Sequence, residues 1–492
     1  MSSRGLNVLI NGRRLRTCLF GALVACVAGC AAPLPKLAPP LPAQWQHAIA
    51  SDPAKSTDLH GWWHAFGDAE LDGLVDRALA SNLDVAQAVE RLRATRVLQS
   101  HAHGRFLPRL SARTDDAIDP DATASYFVAG FDASWELGLF GRTEGVRRAS
   151  QGALDASTAD LRSARVSLVA EVVRNWIDLR TAQQQEHLLQ RISQAHQRQW
   201  QWLQARQRLQ LAAPGAVDQA QATFAQSEAA LAAPRQAINA SAQRLAVLLG
   251  QNHPDPDWLQ AGAQPELGAW QLDGTPAELL RTRPEIARAE ADVLQASGAL
   301  ALAHADMYPS IGLGASMVWS TQIVNNRPRS DSPNGIASLG PLLNIPLFDW
   351  GMRLAAEHAK GHELQASLLA YRQAVLQGVA EVETALGSLQ QQEQREHHSL
   401  LASQALGRAD QAVKTRVGLQ LDSPLDRAES EIAADQADIE LAGARADHSL
   451  AYVALFKALG GAPLPPKEAP KDATATSPAP PGSASPGNEV HH

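Results

Sequence analysis

Residues 83–108, LDVAQAVERLRATRVLQSHAHGRFLP, align without a gap against residues 284–309, PEIARAEADVLQASGALALAHADMYP. Identities fall at Ala86/Ala287, Ala88/Ala289, Ala102/Ala303, His103/His304 and Pro108/Pro309. Later landmarks recur in the same order. From the proline to a Leu-Phe ahead of a glycine is 32 residues to Phe140 and 39 to Phe348. From Gly141 to Asp218 is 77 and from Gly351 to Asp426 is 75, and a Leu-Gly follows 32 residues later at Gly250 and 34 later at Gly460. The chain is one structural unit written twice, so function is expected where the copies face each other or a partner.

Each unit reads as medium helix, two strands, very long helix, tight turn, medium helix. The first helix stops at Pro108 or Pro309, because proline disfavours helix in the residue before it. Beyond Pro309, Ile311, Leu313, Ala315, Met317 and Trp319 alternate with Gly312, Gly314, Ser316 and Val318. In the first copy Phe127, Ala129, Phe131, Ala133 and Trp135 alternate with Val128, Gly130, Asp132 and Ser134. An apolar row against a small or polar row fits a wall with lipid outside and water inside, and equally a half-buried soluble sheet. No proline interrupts Gly141 to about Gln210, or Gly351 to about Leu421. Some 70 helical residues extend about 100 Å. Leu354, Gly361, Leu368, Val375, Val382 and Leu389 recur every seven residues, as do Leu154, Leu161 and Leu168, which is coiled-coil periodicity. The helices turn back near Pro214-Gly215 and near Pro424.

With 492 residues, 5% aromatic side chains and long Ala/Gln/Arg/Glu/Leu stretches, the composition favours long packed helices over a thick core. The formal charge of −8 gives no indication of nucleic-acid binding. The N-terminus reads as an export signal: Arg4, Arg13, Arg14 and Arg16 precede an apolar run, Leu19 to Ala28, too short to span a bilayer. It ends Val27-Ala28-Gly29-Cys30, which resembles the lipobox of bacterial lipoproteins. The resemblance implies cleavage before Cys30, an S-diacylglycerol on its sulfur, an acyl group on its amine, and delivery to the outer membrane. Cys18 and Cys26 lie in the discarded leader, so the mature chain carries no disulfide. Removing residues 1–29 deletes four arginines and no acids, taking the formal charge from −8 to −12. No later stretch holds 18 uninterrupted apolar residues, so a membrane-spanning part must be β. The lipoprotein signal therefore favours a barrel for the strands.

The organisation expected is a signal peptide at 1–29 and a Pro-rich tether at 30–60. A first repeat covers 61–250, with strands at about 108–139 and a helical hairpin at about 141–250. A linker follows at 251–275, then a second repeat at 276–461 with strands at about 309–348 and a hairpin at about 351–460. The tail, 462–492, is rich in Pro, Ala and Ser. Four strands per chain cannot close a membrane barrel, and open edges are not tolerated in lipid. Two, three or four chains give 8, 12 or 16 strands; eight leave little room for a channel, and spacing alone does not choose between the larger two.

Several motifs name a family. Gly61-Trp62-Trp63-His64-Ala65-Phe66-Gly67-Asp68, with Glu70-Leu71, resembles the opening of NodT-type outer-membrane efflux lipoproteins of the TolC-like superfamily. GTPAELLRTRPEIARAEADV at 274–293 is similar to that family's inter-repeat segment. Trp135-Glu136-Leu137-Gly138-Leu139-Phe140-Gly141-Arg142, Pro346-Leu347-Phe348-Asp349 and Leu455-Phe456-Lys457-Ala458-Leu459-Gly460-Gly461 match other signatures, so the resemblance covers roughly 40–461. It implies an α+β membrane protein: a homotrimer with a 12-stranded outer-membrane barrel, a mixed equatorial belt and a long periplasmic α-barrel. The implied role is the passive exit duct of a tripartite pump, served by a periplasmic adaptor and an inner-membrane transporter of the RND type. The alternatives are the outer channel of a type I secretion system and a non-conducting structural lipoprotein of the periplasm.

No phosphate loop, nucleophile–base spacing or metal-ligand cluster is present, so neither an enzyme nor a cofactor is expected beyond the lipid on Cys30. The 16 histidines are scattered and read as surface residues. Asp426 and Glu429, three apart, share a helix face just past the second turn. In a trimer they would ring the narrow periplasmic end with six carboxylates, favouring cations and repelling one another; acids at a helix start are also favoured by the dipole alone. They correspond to the acidic constriction of the superfamily, with Asp218 as the first-copy counterpart. Val417-Gly418-Leu419 resembles the family's adaptor-docking tip, with Arg416 beside it and able to pair with an acid. Leu211-Ala212-Ala213-Pro214-Gly215 reads as the first-copy tip. Gating is expected in the second copy, which alone carries the acidic pair.

Overall fold

A computed structural model of the chain describes residues 37, 42, 44–47, 57–117, 126–272, 276–322 and 334–464. Cys30, the signal peptide and most of the tail lie outside the described residues. The elements run α1 (Ala69–Ser81), α2 (Leu83–Ser100), β1 (Arg109–Ala117), β2 (Tyr126–Glu136), α3 (Arg142–Arg208), α4 (Pro214–Ala230) and α5 (Ala232–Leu248), then α6 (Pro276–Arg281), α7 (Pro284–Ala305), β3 (Ser310–Gln322), β4 (Asn334–Asn344), α8 (Met352–Gly418) and α9 (Pro424–Ala458). No described helix is long and apolar enough to cross a membrane.

The duplication is tighter in space than in its sequence landmarks. α3 and α8 each hold 67 residues, about 100 Å. Each starts after a left-handed pair, Phe140-Gly141 (φ 53 and 83) and Trp350-Gly351 (φ 56 and 81). Each turns back through a left-handed glutamine, Gln210 (φ 64) and Gln420 (φ 61), and ends its return arm at a left-handed glycine, Gly250 or Gly460. Every one of these pairs is separated by 210 positions, whereas α2 and α7 start 201 apart. The second copy has therefore gained nine residues around its strand pair, and Phe140 matches Trp350 rather than Phe348. The return arms differ. α4 and α5 break at Leu231, ahead of Pro234, whose ring removes an N–H and crowds the carbonyl four residues earlier. The equivalent residue is Ala444, buried in an unbroken α9.

The four strands form one antiparallel sheet in the order β1-β2-β3-β4. Its register puts Leu110 beside Ala133, Ala133 beside Ala315 and Ala315 beside Leu339, and likewise Ala112, Phe131, Met317 and Ala337 in one row. That face, with Trp135, Leu313, Trp319, Pro341 and Leu343, carries no charge among the described side chains. The opposite face carries Arg109, Arg113, Asp115, Asp132 and Glu136 with Gly312, Gly314, Ser316 and Ser338, an arrangement suited to lipid on one side and water on the other. Aromatic rings collect where strands meet helices: Phe140 stacks on Tyr308 at 5.1 Å, and Phe348 meets Trp350 at 4.8 Å. Such girdles mark a membrane–water boundary.

Below the sheet, α3 is the hub, packed against α2, α5, α7 and α9. Its Trp176, Ile177 and Leu179 are fully buried. The waist core is aromatic. Trp62 stacks on Phe456 at 5.6 Å and donates from Nε1 to the Gly461 carbonyl at 3.1 Å, while the Tyr452 hydroxyl donates to the Trp62 carbonyl at 2.9 Å. Asp68 caps α1 and accepts from Trp176 Nε1 at 2.8 Å. The WWHAFGD motif therefore ties the waist to both copies. α8 is less covered: Val375, Val382 and Leu389 of its heptad are buried, but Leu354, Leu369 and Leu376 are half or more exposed.

α3 and α7 approach closely because glycines face the crossing. A Cβ on Gly152 would lie 2.6 Å from Gln295 N, and one on Gly298 would collide with Ala149 N. Gly298→Ala gains about 1 kcal/mol of helix propensity, yet overpacking of about 1–3 kcal/mol should outweigh it. The variant is expected to melt below the wild type in a thermal scan; a higher melting temperature would mean the helices part freely.

Candidate functional site

The far ends of the long helices are built alike. Leu209-Gln210-Leu211 and Leu419-Gln420-Leu421 form the two tips, each leucine about two-thirds exposed. Leu211 N donates to the Arg206 carbonyl at 2.7 Å and Leu421 N to the Arg416 carbonyl at 2.9 Å, closing the same turn. Gly418 is the last residue of α8 and Leu419 its cap, so the left-handed turn falls on Gln420, not on the glycine. Arg416 Nη2 donates to Asp422 Oδ1 at 2.6 Å. The equivalent first-copy residues are Arg206 and Ala212, so that ion pair belongs to the second copy. Val417 is half-buried on α8.

Asp426 and Glu429 are both exposed in the first turns of α9. Asp426 closes a capping box with Ser423, accepting from its backbone N at 2.9 Å and its Oγ at 2.8 Å, while its own N–H donates back to Ser423 Oγ at 3.2 Å. Bonds from the Ser423 backbone and then its hydroxyl hold the Asp426 carboxyl below its ordinary range. Asp218 is exposed on α4 but is not the partner of Asp426: the 210-residue offset pairs Asp426 with Ala216 and Asp218 with Ala428. Counting between acids misplaced it, because any position in a first turn suits an acid.

Above the tips a charged ladder joins the copies, a feature that the acids and tip motifs do not announce. On α9, Glu431 pairs with Arg198 of α3 at 2.8 Å, and Asp435 meets Arg191 of α3 at 2.6 Å. On the other flank Arg427 pairs with Asp410 of α8, Ser430 Oγ donates to Asp410 at 2.8 Å, and Ser403 Oγ donates to Asp438 at 2.6 Å. The readable signal was charge repeated along one helix face, Arg191 and Arg198 seven apart on α3 against Glu431 and Asp435 four apart on α9. Among the described residues no group of three His, Cys, Asp or Glu could hold a metal ion.

A family model described as outer membrane efflux protein matches residues 74–251 and 275–461. The chain belongs to this family. It is 29% identical over 447 residues to the pyoverdine export outer membrane protein OpmQ of Pseudomonas aeruginosa, covering 85% of this chain and 91% of that one. It is 28% identical over 357 residues to nodulation protein T of Rhizobium leguminosarum bv. viciae, covering 70% and 72%. The outer-membrane channel OprN superposes with a TM-score of 0.74 at 26% identity, over 89% of this chain and all of that one. The chain is a NodT-type outer membrane factor with a TolC-like fold, and the family's members are channels of the outer membrane.

Within this efflux-family fold one ladder residue stands apart. Asp435 is fully buried, and the Arg191 guanidinium does not meet its oxygens in hydrogen-bond geometry, so neither oxygen has such a partner among the described residues. Burial pushes its carboxyl up to about 6, against the pull of Arg191 and with nearby Glu431, Asp438 and Asp410 reinforcing the rise. A carboxyl raised in the folded state contributes stability that is fully present below its unfolded pKa, about 3.9. That contribution is lost as pH rises through about 6. Asp435→Asn, which stays neutral, should raise the melting temperature at pH 8 and leave it nearly unchanged at pH 4. Equal shifts at both pH values, monitored by circular dichroism, would assign the effect to packing instead.

Proposed function

We propose that three copies of this chain form the exit duct of a tripartite efflux pump in the outer membrane. The observation that carries it is the pair of edges on β1 and β4 of a sheet with one face carrying no charge among its described side chains. Unpaired backbone groups in hydrocarbon cost several kcal/mol each, so β4 of one chain pairs with β1 of the next until the wall closes. Three copies give 12 strands, wide enough for a water-filled lumen, and a sheet of this kind accounts poorly for a soluble stalk. The exposed leucines of α8 then pack on neighbouring protomers, and the paired 100 Å helices continue the wall through the periplasm.

Substrate reaches the duct from an inner-membrane transporter of the RND type through a periplasmic adaptor. The adaptor docks on the tips, where Arg416, Val417, Gly418 and Leu419 sit beside the Leu-Gln-Leu turn, and the same turn in the first copy offers a second seat. Asp426 and Glu429 ring the entrance with six carboxylates, and Asp218 adds charge on α4. Cys30 carries the diacylglycerol and acyl anchor. Asp426 has two roles, since it also caps α9.

Planar-bilayer conductance tests the duct and its entrance together. The wild type should show a small cation-selective conductance, and Asp426→Asn with Glu429→Gln should raise it severalfold while reducing cation selectivity. Wild-type trimers that insert but never conduct, even after those substitutions, would sink the channel reading. Unchanged conductance with normal cation selectivity would remove only the carboxylates from the gate.

A further inference from the structure

Above the turn into α9, the carboxylates of Asp410, Glu431, Asp435 and Asp438 share only the guanidiniums of Arg191, Arg198 and Arg427. Two of those cations are already committed. Arg198 holds Glu431 at 2.8 Å, and Arg427 holds Asp410 of α8, to which Ser430 Oγ also donates at 2.8 Å. Asp438 accepts from Ser403 Oγ of α8 at 2.6 Å. That leaves Arg191 for Asp435, at 2.6 Å, but the guanidinium side chain is 44% exposed and the carboxyl is fully buried. The cation reaches in from the water side, and neither Asp435 oxygen gains a hydrogen bond from it.

Each helix packed at this height adds to the imbalance. α3 offers Arg191, α8 brings Asp410, and α9 itself brings Glu431 and Asp438. The histidines flanking Arg191 on α3 do not relieve it: His187 is exposed, and His196 bonds Gln199 at 3.1 Å. A buried carboxylate without a hydrogen bond is costly. With α9 seated on α3, burial therefore pushes the Asp435 carboxyl up to about 6. Asp435 stands 11 residues beyond Pro424, about 16 Å above the turn, and six residues beyond Glu429. Here α9 is held to α3 by ionic contacts, which exchange for water when the helices part. Water then reaches the carboxyl and restores its ordinary value, about 3.9. The seated form binds the proton more tightly than the parted form, so acid favours the seated form.

We propose that Asp435 links the opening of the duct entrance to pH: protonated, it lets α9 lie against α3 and the entrance stay narrow; ionised, it drives α9 off α3, so the entrance opens more readily in neutral than in acidic surroundings. This link rests on the duct reading above. Between pH 5 and pH 7 the ratio of parted to seated α9 rises about tenfold, then levels off as the seated form loses its proton too. Asp426 does not supply this response, because its bonds from Ser423 hold its carboxyl below the ordinary range.

The test uses the full mature chain with Cys30→Ser behind an ordinary export signal, so that a nitroxide on Gln420→Cys, at the exposed tip, is the one label. Pulsed electron-spin distances between labels in membrane-embedded trimers read tip separation, and planar-bilayer current from the same protein reads the duct. With Asp435 intact, the long-distance population should gain on the short one at least about tenfold from pH 5 to pH 7. Asp435→Asn, which stays neutral, should keep the short distance at both pH values. Arg191→Gln leaves Asp435 in place and removes the pull towards ionisation. Its rise should therefore move to higher pH, a displacement that damaged packing would not give. A rise that survives Asp435→Asn, or no rise with Asp435 intact, overturns the switch. Labels that separate with pH in trimers that pass no current uphold the proton-linked movement and overturn the duct reading alone.

Discussion

The structure depends on backbone hydrogen bonds that one chain cannot complete. A four-stranded sheet has two edges, and here both border a face without charge among its described side chains, with Trp135, Phe131, Met317 and Leu339 pointing where lipid would be. Water could satisfy those edges and hydrocarbon cannot. That single constraint turns a monomer with an incomplete wall into a component of a closed one. It also explains why α8 keeps leucines exposed while its equivalent, α3, is surrounded by its own chain.

Holding two 67-residue helices in register over 100 Å requires contacts at several heights. Near the membrane the register is steric, where Gly152 and Gly298 let α3 and α7 touch backbone to backbone. At the waist it is aromatic, where Trp62, Tyr452, Phe456 and Trp270 interlock the start of the chain with the end of α9. Near the tips it is ionic, with α9 held to α3 by Arg191 and Arg198 and to α8 by Asp410 and Ser403. Ionic contacts exchange partners more readily than packed backbones. Movement of α9 is therefore easiest near the tips and hardest at the waist, where its last turns are packed among aromatic rings.

The copies are identical in length where length sets geometry and different where the surroundings differ. Pro234 breaks the first return arm, while Ala444 lets the second run straight. The Ser423–Asp426 capping box and the Arg416–Asp422 pair stiffen the second tip alone. Both tips nevertheless present Leu-Gln-Leu on the same left-handed turn. A partner with repeated, similar contacts would meet six related knobs on a trimer, not three.

Much of this was legible in residues 83–108 and 284–309 and in the strand and helix segments after each, because period-two and period-seven patterns and proline stops are local signals. The duplication, the strand pairs, the helix lengths and the acids beside Pro424 came from the sequence by itself. Equivalence between the copies did not, since acids and Leu-Phe pairs recur for their own local reasons. The landmark glycines Gly141/Gly351 and Gly250/Gly460 already stood 210 apart, and the left-handed residues, visible in three dimensions, extend that offset through Gln210 and Gln420 to the tips and so separate Asp218 from Asp426. The burial of Asp435 and the ladder between α3 and α9 were likewise decided by tertiary structure. Each brings together residues tens to hundreds of positions apart, and no periodicity along one helix carries the azimuth and height at which another will cross it.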